Sequence, residues 1–278
     1  MGVYRGGYRQ YEGPFLPIGT RFLVIFWSEF RRLWQGRWNR RLMLFAAIPL
    51  IVTVAVLVGK GVVESKVGAL PFELNLLGRM LQVEMLFMAL LAASAGAGIL
   101  ADDRAANALV LYLARPLTPA RYLLGKGLAL GAILATVYLV PAFLFVAAAA
   151  TILPGATAQG IATDLAAATA GCLLNITFVT VVILLFSALG SRARYIGLGW
   201  FGLFFFSQMI SKGAYSATGL AWTNLLSLPD LFQKALDWFL AGGRGDGIAV
   251  VILATLTTLA GAALWQRVIY RQAGKAVA

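Results

Sequence analysis

Apolar residues gather along this chain in six long runs, near residues 42–61, 80–101, 119–152, 165–189, 195–211 and 247–266, parted by polar stretches. A bilayer core of about 30 Å needs roughly 20 mostly apolar residues in a helix, so each run predicts one membrane span. The third run is the longest. At about 1.5 Å per residue a helix begun at Pro119 and ended at Leu153 reaches roughly 50 Å, which implies a tilt or an extension beyond the bilayer, with a kink at Pro141. Residues 16–41 follow another pattern. Phe22, Leu23, Phe26, Trp27, Phe30, Leu33, Trp34 and Trp38 recur at helical spacing, while Arg21, Ser28, Arg31, Arg32 and Gln35 fall mainly on another side. This predicts an amphipathic interfacial helix with its aromatic side down, Phe26, Trp27, Trp34, Arg31 and Arg32 being its characteristic residues; it serves either as a membrane-surface anchor or also as a contact for a cytoplasmic partner. Residues 1–15 and 273–278 are expected to be tails. Between the fifth and sixth runs, Ser227-Leu228-Pro229-Asp230 has the form of a capping box and opens an amphipathic helix over 227–241, expected at the outer membrane surface.

Composition supports this pattern. The chain has 278 residues, is 60% hydrophobic and carries a formal net charge of +12, which fits an all-α polytopic membrane protein rather than a soluble domain. The bases are distributed unevenly. With both termini inside, Arg5, Arg9, Arg21, Arg31, Arg32, Arg37, Arg40, Arg41, Arg104, Arg115, Arg121, Lys126, Arg192, Arg194, Arg267, Arg271 and Lys275 fall on the cytoplasmic side, leaving Lys60, Lys66, Arg79, Lys212, Lys234 and Arg244 outside. That bias predicts six spans, N-in and C-in, and explains the basic balance without nucleic acid. The arginine-rich first 41 residues have no cleavable-leader pattern, so the first span is expected to be kept. Cys172 is the lone cysteine and histidine is absent, which removes intrachain disulfides, His-based zinc sites, His general bases and His haem ligation from consideration.

The polar stretch between the second and third runs reads ADDRAANALVLYLARPLTPARYLLGKG, residues 101–127. Asp102 and Asp103 suit the start of a new helix through its dipole, Arg115 and Pro116 its end, and Thr118-Pro119 a capped restart. A helix of about three turns in a loop reads either as a docking surface or as an ordinary solvated loop. The acidic pair followed by LARPLTPARYLLGKGLAL resembles the corresponding loop of type 2 ABC exporter permeases. Six spans, an amphipathic elbow helix and a polar segment between the fifth and sixth spans are likewise similar to that family. The resemblance implies a coupling helix over 102–115 seated on a separate ATPase subunit, with Asp102, Asp103, Arg104, Asn107 and Arg115 as coupling residues. It further implies two copies of this chain with two ATPase subunits in a prokaryotic cytoplasmic (inner) membrane. ATP and Mg would bind on the partner, because no Gly-x-x-x-x-Gly-Lys-Ser/Thr loop exists here: Gly59-Lys60 and Gly125-Lys126 are both followed by Gly. A variant of the same machinery would move an extracytoplasmic partner instead of a solute.

Few polar residues lie inside the runs. Glu84, with Gln82 nearby, is the acid well inside a span, and an acid at a span's centre costs on the order of 3 kcal/mol. It reads as a pathway or gate residue, or as a carboxylate that snorkels outward or pairs with Arg79. Ser94 to Gly98 are small, as close helix packing requires. The fifth run combines glycines with Trp200, Phe204 and Gln208, candidates for lining a route, although such aromatics equally face lipid. A secondary transporter would favour midplane ionisable residues and internal repeats, neither of which is present. An intramembrane enzyme would need a second acid beside Glu84 or a serine-based site. Nothing in the sequence selects a substrate; the aromatic fifth run leans toward an amphiphile.

Overall fold

A computed structural model describes residues 20–67, 76–106, 118–152 and 157–276. The described residues are helical throughout, without strands: α1 (Arg21–Gln35), α2 (Arg37–Val67), α3 (Leu76–Leu91), α4 (Gly98–Ala105), α5 (Pro119–Ile152), α6 (Ala158–Leu189), α7 (Ala193–Thr218), α8 (Leu228–Leu240) and α9 (Ile248–Ala276), with a 3-10 turn at Ala221–Leu226. Five of the resulting helices are long and apolar enough to cross a membrane: Arg37–Val63, Leu76–Ala105, Pro119–Ile152, Ala158–Leu189 and Ile248–Val268. Six were expected. The remaining one, α7, has 26 residues, but its glycines, Trp200, Ser207, Gln208 and Lys212 dilute its apolar character.

Boundaries moved where caps decide them. The expected interfacial segment 16–41 divides at Gly36, where ψ of 121° breaks the helix, so Arg37 to Arg41 belong to the first turns of α2. Thr157 caps α6 by accepting from Gly160 N, which starts that helix ahead of the apolar run at 165. Ser227 likewise accepts from Asp230 N at 3.2 Å, and Pro229 sits in the first turn of α8. The apolar side of α8 turns inward, however: Leu231, Phe232, Ala235 and Leu236 are buried in the bundle, with Phe232 edge-on to Phe178 of α6 at 5.4 Å.

The α3–α4 span is the centre of the bundle, together with α6, whereas α2 and α9 expose most of their apolar surface. Midway along that central span the helix widens into a π turn at Ala92–Gly96. A π turn strands backbone groups, and neighbours take them up. Trp200 Nε1 donates to Ala89 O at 3.0 Å. Ser187 Oγ donates to Ala97 O at 2.8 Å and accepts from Leu100 N and Ala101 N at 3.0 and 3.1 Å, filling both lone pairs and using its proton. The small residues here permit this closeness: a methyl at Gly197 would meet Ala93 O at 2.9 Å, and one at Gly96 would meet Ile183 at 2.9 Å and Leu130 at 3.0 Å.

Candidate coupling junction

Lys126 stands on α5, one residue past Gly125, and its side chain is 0% exposed. Gly125 is where α1 crosses α5, since a methyl there would lie 2.9 Å from Phe22 O and 3.0 Å from Ile25 Cβ. This contact sets Glu29, on the face of α1 that carries Ile25 and Leu33 into the protein, directly over Lys126. The ammonium donates to Glu29 Oε1 at 2.8 Å and to Ile99 O at 2.7 Å, and pairs with Asp103 Oδ2 of α4 at 2.7 Å. All three ammonium protons are therefore used. Arg32 bridges to the other Glu29 oxygen at 2.8 Å, and Tyr122 OH donates to Asp103 Oδ2 at 2.6 Å. Two acids and two bases make a neutral cluster joining three separate helices. A buried group of this kind adds little net stability over an apolar replacement, yet removing one member alone is costly because it leaves the others uncompensated.

Asp102 and Asp103 therefore end a helix rather than begin one. They lie in the last turns of α4, which continues the second span to Ala105, and Ala106 N bonds back to Asp102 O. An acid at that end opposes the helix dipole, and the ammonium of Lys126 with the hydroxyl of Tyr122 offsets this for Asp103. Asp102 is exposed. Arg104 donates to the carbonyls of Ser187, Ala188 and Gly190, closing the C-terminal end of α6. Asn107 and Arg115, like the rest of the expected coupling helix past residue 106, lie outside the described residues.

A second tie fixes the far end of α1. Asn39 of α2 donates from Nδ2 to Leu33 O at 2.8 Å, and Ser94 Oγ in the π turn donates to Asn39 Oδ1 at 2.9 Å. The aromatic residues of α1 point elsewhere: Phe26, Phe30 and Trp34 stack in a row with centroids 5.8 and 5.7 Å apart, and Trp27 and Trp34 are exposed beside exposed Arg31 and Arg32. Sequence periodicity found this aromatic face. It missed Glu29, Asn39, Tyr122 and Lys126, whose signal was present in part: an acid spaced four residues from both Ile25 and Leu33, and a lysine wedged between two glycines.

The pathway candidates separate in space. Glu84 is 0% exposed and neither carboxylate oxygen has a hydrogen-bond partner among the described residues, which sets aside both snorkelling and a pair with Arg79. Gln82 faces the other way and is exposed, and Gln208 is half-buried on α7. Trp200 and Phe204 are buried in the bundle, where Phe204 contacts Trp200 and Phe232 at 6.3 and 6.4 Å. On the side of α6 toward α8, Asn175 Nδ2 donates to Tyr138 OH at 3.2 Å and Phe232 O at 3.3 Å. Among the described residues no group of His, Cys, Asp and Glu is arranged to hold a metal ion.

Long apolar helices packed around a broken central span, with an amphipathic helix tied to it by buried charge, define a multi-pass helical membrane protein. The family model described as an ABC-2 family transporter protein matches residues 23–270, and the chain belongs to that family. No curated protein matches it. Membership makes the chain an ABC permease subunit, a membrane component without ATPase motifs of its own in a family that pairs with an ABC ATPase subunit.

Proposed function

We propose that the chain is the permease of an ATP-driven exporter and that the Lys126 junction passes the movement of the ATPase into the bundle. The supporting observation is positional. The coupling helix expected over 102–115 to dock on the ATPase lies between the central span and α5, and Lys126 and Asp103 clamp α4 and α5 to each other and to Glu29 of α1. A push on that stretch cannot shift α4 alone, because three donors on one ammonium carry the load to α5 and α1. In this reading α7 is the fifth of six spans, both termini face the cytoplasm and α1 is the elbow helix, its aromatic row in the headgroup region. Two copies of the chain assemble with two ATPase subunits that bind ATP and Mg, in the inner membrane of a prokaryote. Family membership favours this over a secondary transporter.

Glu84 is the ionisable group of the translocation route in this reading. A fully buried carboxyl with no hydrogen-bond partner among the described residues is polarity that the packing there does not use, and such groups inside spans serve ion or substrate paths. The test is a mild-detergent purification of the tagged chain from its native membranes. An ATPase subunit recovered in equal amount, hydrolysing ATP at a rate that Lys126→Met lowers while both subunits stay together, is the expected result. A lone homomer in several detergents would overturn the assignment, and an unchanged coupled rate in Lys126→Met would remove the junction's role.

A further inference from the structure

A groove of about 880 Å³ runs along α5 from Ala120 to Ala135, walled by α6 and by Leu264 and Trp265 of α9, and closed at one end by Leu23 and Phe26 of α1. Its floor is made of the two glycines Gly127 and Gly131. Methyls at these positions would make only ordinary contacts, 3.5 Å from Leu184 Cδ1 and 3.7 Å from Thr180 Oγ1, so the groove's depth comes from their missing side chains and not from packing that requires them. The lining is apolar apart from Thr177, whose hydroxyl is bonded to Leu173 O at 2.7 Å, and Thr180, which is 7% exposed with an unpartnered Oγ1. At about 1.5 Å per residue the lined part of α5 is roughly 22 Å long, the depth of one leaflet with its headgroups.

Two arginines adjoin the lining at the α1 end of the groove. Arg121 follows Ala120 on α5, and Arg267 lies less than a turn beyond Leu264 and Trp265 on α9; neither forms an ion pair among the described residues. Trp265, 44% exposed, stands at the same level, as an indole at a membrane interface does. An apolar trough one leaflet deep, with an arginine next to its lining on α5 and another within a turn of its lining on α9, is complementary to an acyl chain carrying an anion at its head. We propose that this groove binds one anionic phospholipid of the inner leaflet, its chain along Gly127 and Gly131 and its phosphate between Arg121 and Arg267. The leaflet follows from the orientation given under Proposed function, and the proposal rests on that reading for that point alone.

Native mass spectrometry of the purified full chain, reconstituted in nanodiscs of phosphatidylglycerol or phosphatidylcholine and released into detergent, tests it. One phosphatidylglycerol retained per chain, in preference to phosphatidylcholine, is expected. Arg121→Gln with Arg267→Gln should cut that preference roughly thirtyfold, the combined effect of two bases at a membrane surface. Gly131→Leu should lose the lipid altogether. Should the leucine variant fail to fold, the arginine pair, which leaves the interior untouched, still decides the matter. Equal retention of the two lipids by the unaltered chain, or an unchanged preference in the arginine variant, overturns the proposal. Crosslinking with a photoactivatable phosphatidylglycerol supplies the second readout: adducts on Leu128 or Trp265 support it, and chain-to-chain links at those residues would assign the groove to a second copy and refute it. None of these measurements involves the ATPase, so the lipid site and the exporter reading fail separately.

Discussion

Replacing Lys126 by methionine removes the charge at the junction while keeping most of the side-chain volume. Three contacts of 2.7 to 2.8 Å disappear at once. Glu29 keeps Arg32, and Asp103 keeps the Tyr122 hydroxyl, but their side chains are only 8% and 12% exposed, so little water is present to take the place of the ammonium. Removing one partner of a buried pair costs about 3–5 kcal/mol. The lower end applies here, since both carboxylates retain one neighbour and some solvent. The clean measurement is a double-mutant cycle with Glu29→Gln, read as reversible unfolding in one detergent. Residues in such a network show coupling of roughly 0.5–3 kcal/mol, and with three members on one ammonium the upper half of that range is expected. The double variant should therefore be little worse than Lys126→Met alone. Additive losses, with coupling below about 0.5 kcal/mol, would refute the claim that the ammonium holds α1 to the bundle.

Four further outcomes follow from the same geometry. Gly125→Val should push α1 off α5, because a methyl there already meets Phe22 O at 2.9 Å; a loss of about 1–3 kcal/mol in the same unfolding assay, with α1 newly open to proteolysis, is expected. Ser187→Ala orphans Leu100 N and Ala101 N beside the π turn and should cost about 1–3 kcal/mol, while Ser187→Thr, if its hydroxyl keeps the bonds, should cost less. On α8, burial raises the Asp237 carboxyl above its ordinary 3.8, opposed by the bond from Gln233 Nε2. An acid whose folded value is raised favours the fold at low pH and loses that contribution as pH rises, so Asp237→Asn should raise the melting temperature at neutral pH and change nothing well below pH 3.8; the opposite trend would contradict its burial. Finally, Glu84→Met should stabilise the chain in thermal unfolding while lowering transport; a stabilised variant with undiminished transport would make Glu84 a mere imperfection of packing.

Periodicity and span length made most of the architecture legible in advance. The 34-residue α5 begins at Pro119 as the Thr118-Pro119 signal requires, and α8 begins at Leu228 behind its Ser227 cap. What escaped is where short-range signals compete with tertiary partners. Asp102 and Asp103 resemble the acids of a helix start, and only the ammonium of a residue more than twenty positions later makes the end of a helix tolerable for Asp103. Lys126 itself counts as one more cytoplasmic base when charges are tallied along the chain, because a tally assigns charge to a side of the membrane and says nothing of depth. Trp200 and Phe204 looked like lining for the opposite reason: an aromatic side chain reads as exposed or buried only once the carbonyl it will cap, here Ala89 O, is known to be freed by a π turn.

In the exporter reading, that π turn is the point at which the central span would yield. A continuous helix of 30 residues would carry a displacement of its end rigidly to its other end, through every backbone bond. At Ala92–Gly96 the ladder is interrupted, and its loose groups are held from outside by Trp200 of α7 and Ser187 of α6, while Ser94 reaches Asn39 of α2. These are side-chain bonds to single atoms, each of which can be exchanged without unwinding a helix. In the exporter reading proposed above, a force entering between α4 and α5 would be held firm as far as the Lys126 cluster, where charge joins α1, α4 and α5, and would meet its first yielding point one turn further on, where side chains of α2, α6 and α7 converge. Glu84 lies beyond that point on the same span. In that reading the carboxyl, which has no hydrogen-bond partner among the described residues, sits on the far side of the π turn from the junction, and this order along one span is what would join the junction and the route candidate in one mechanism.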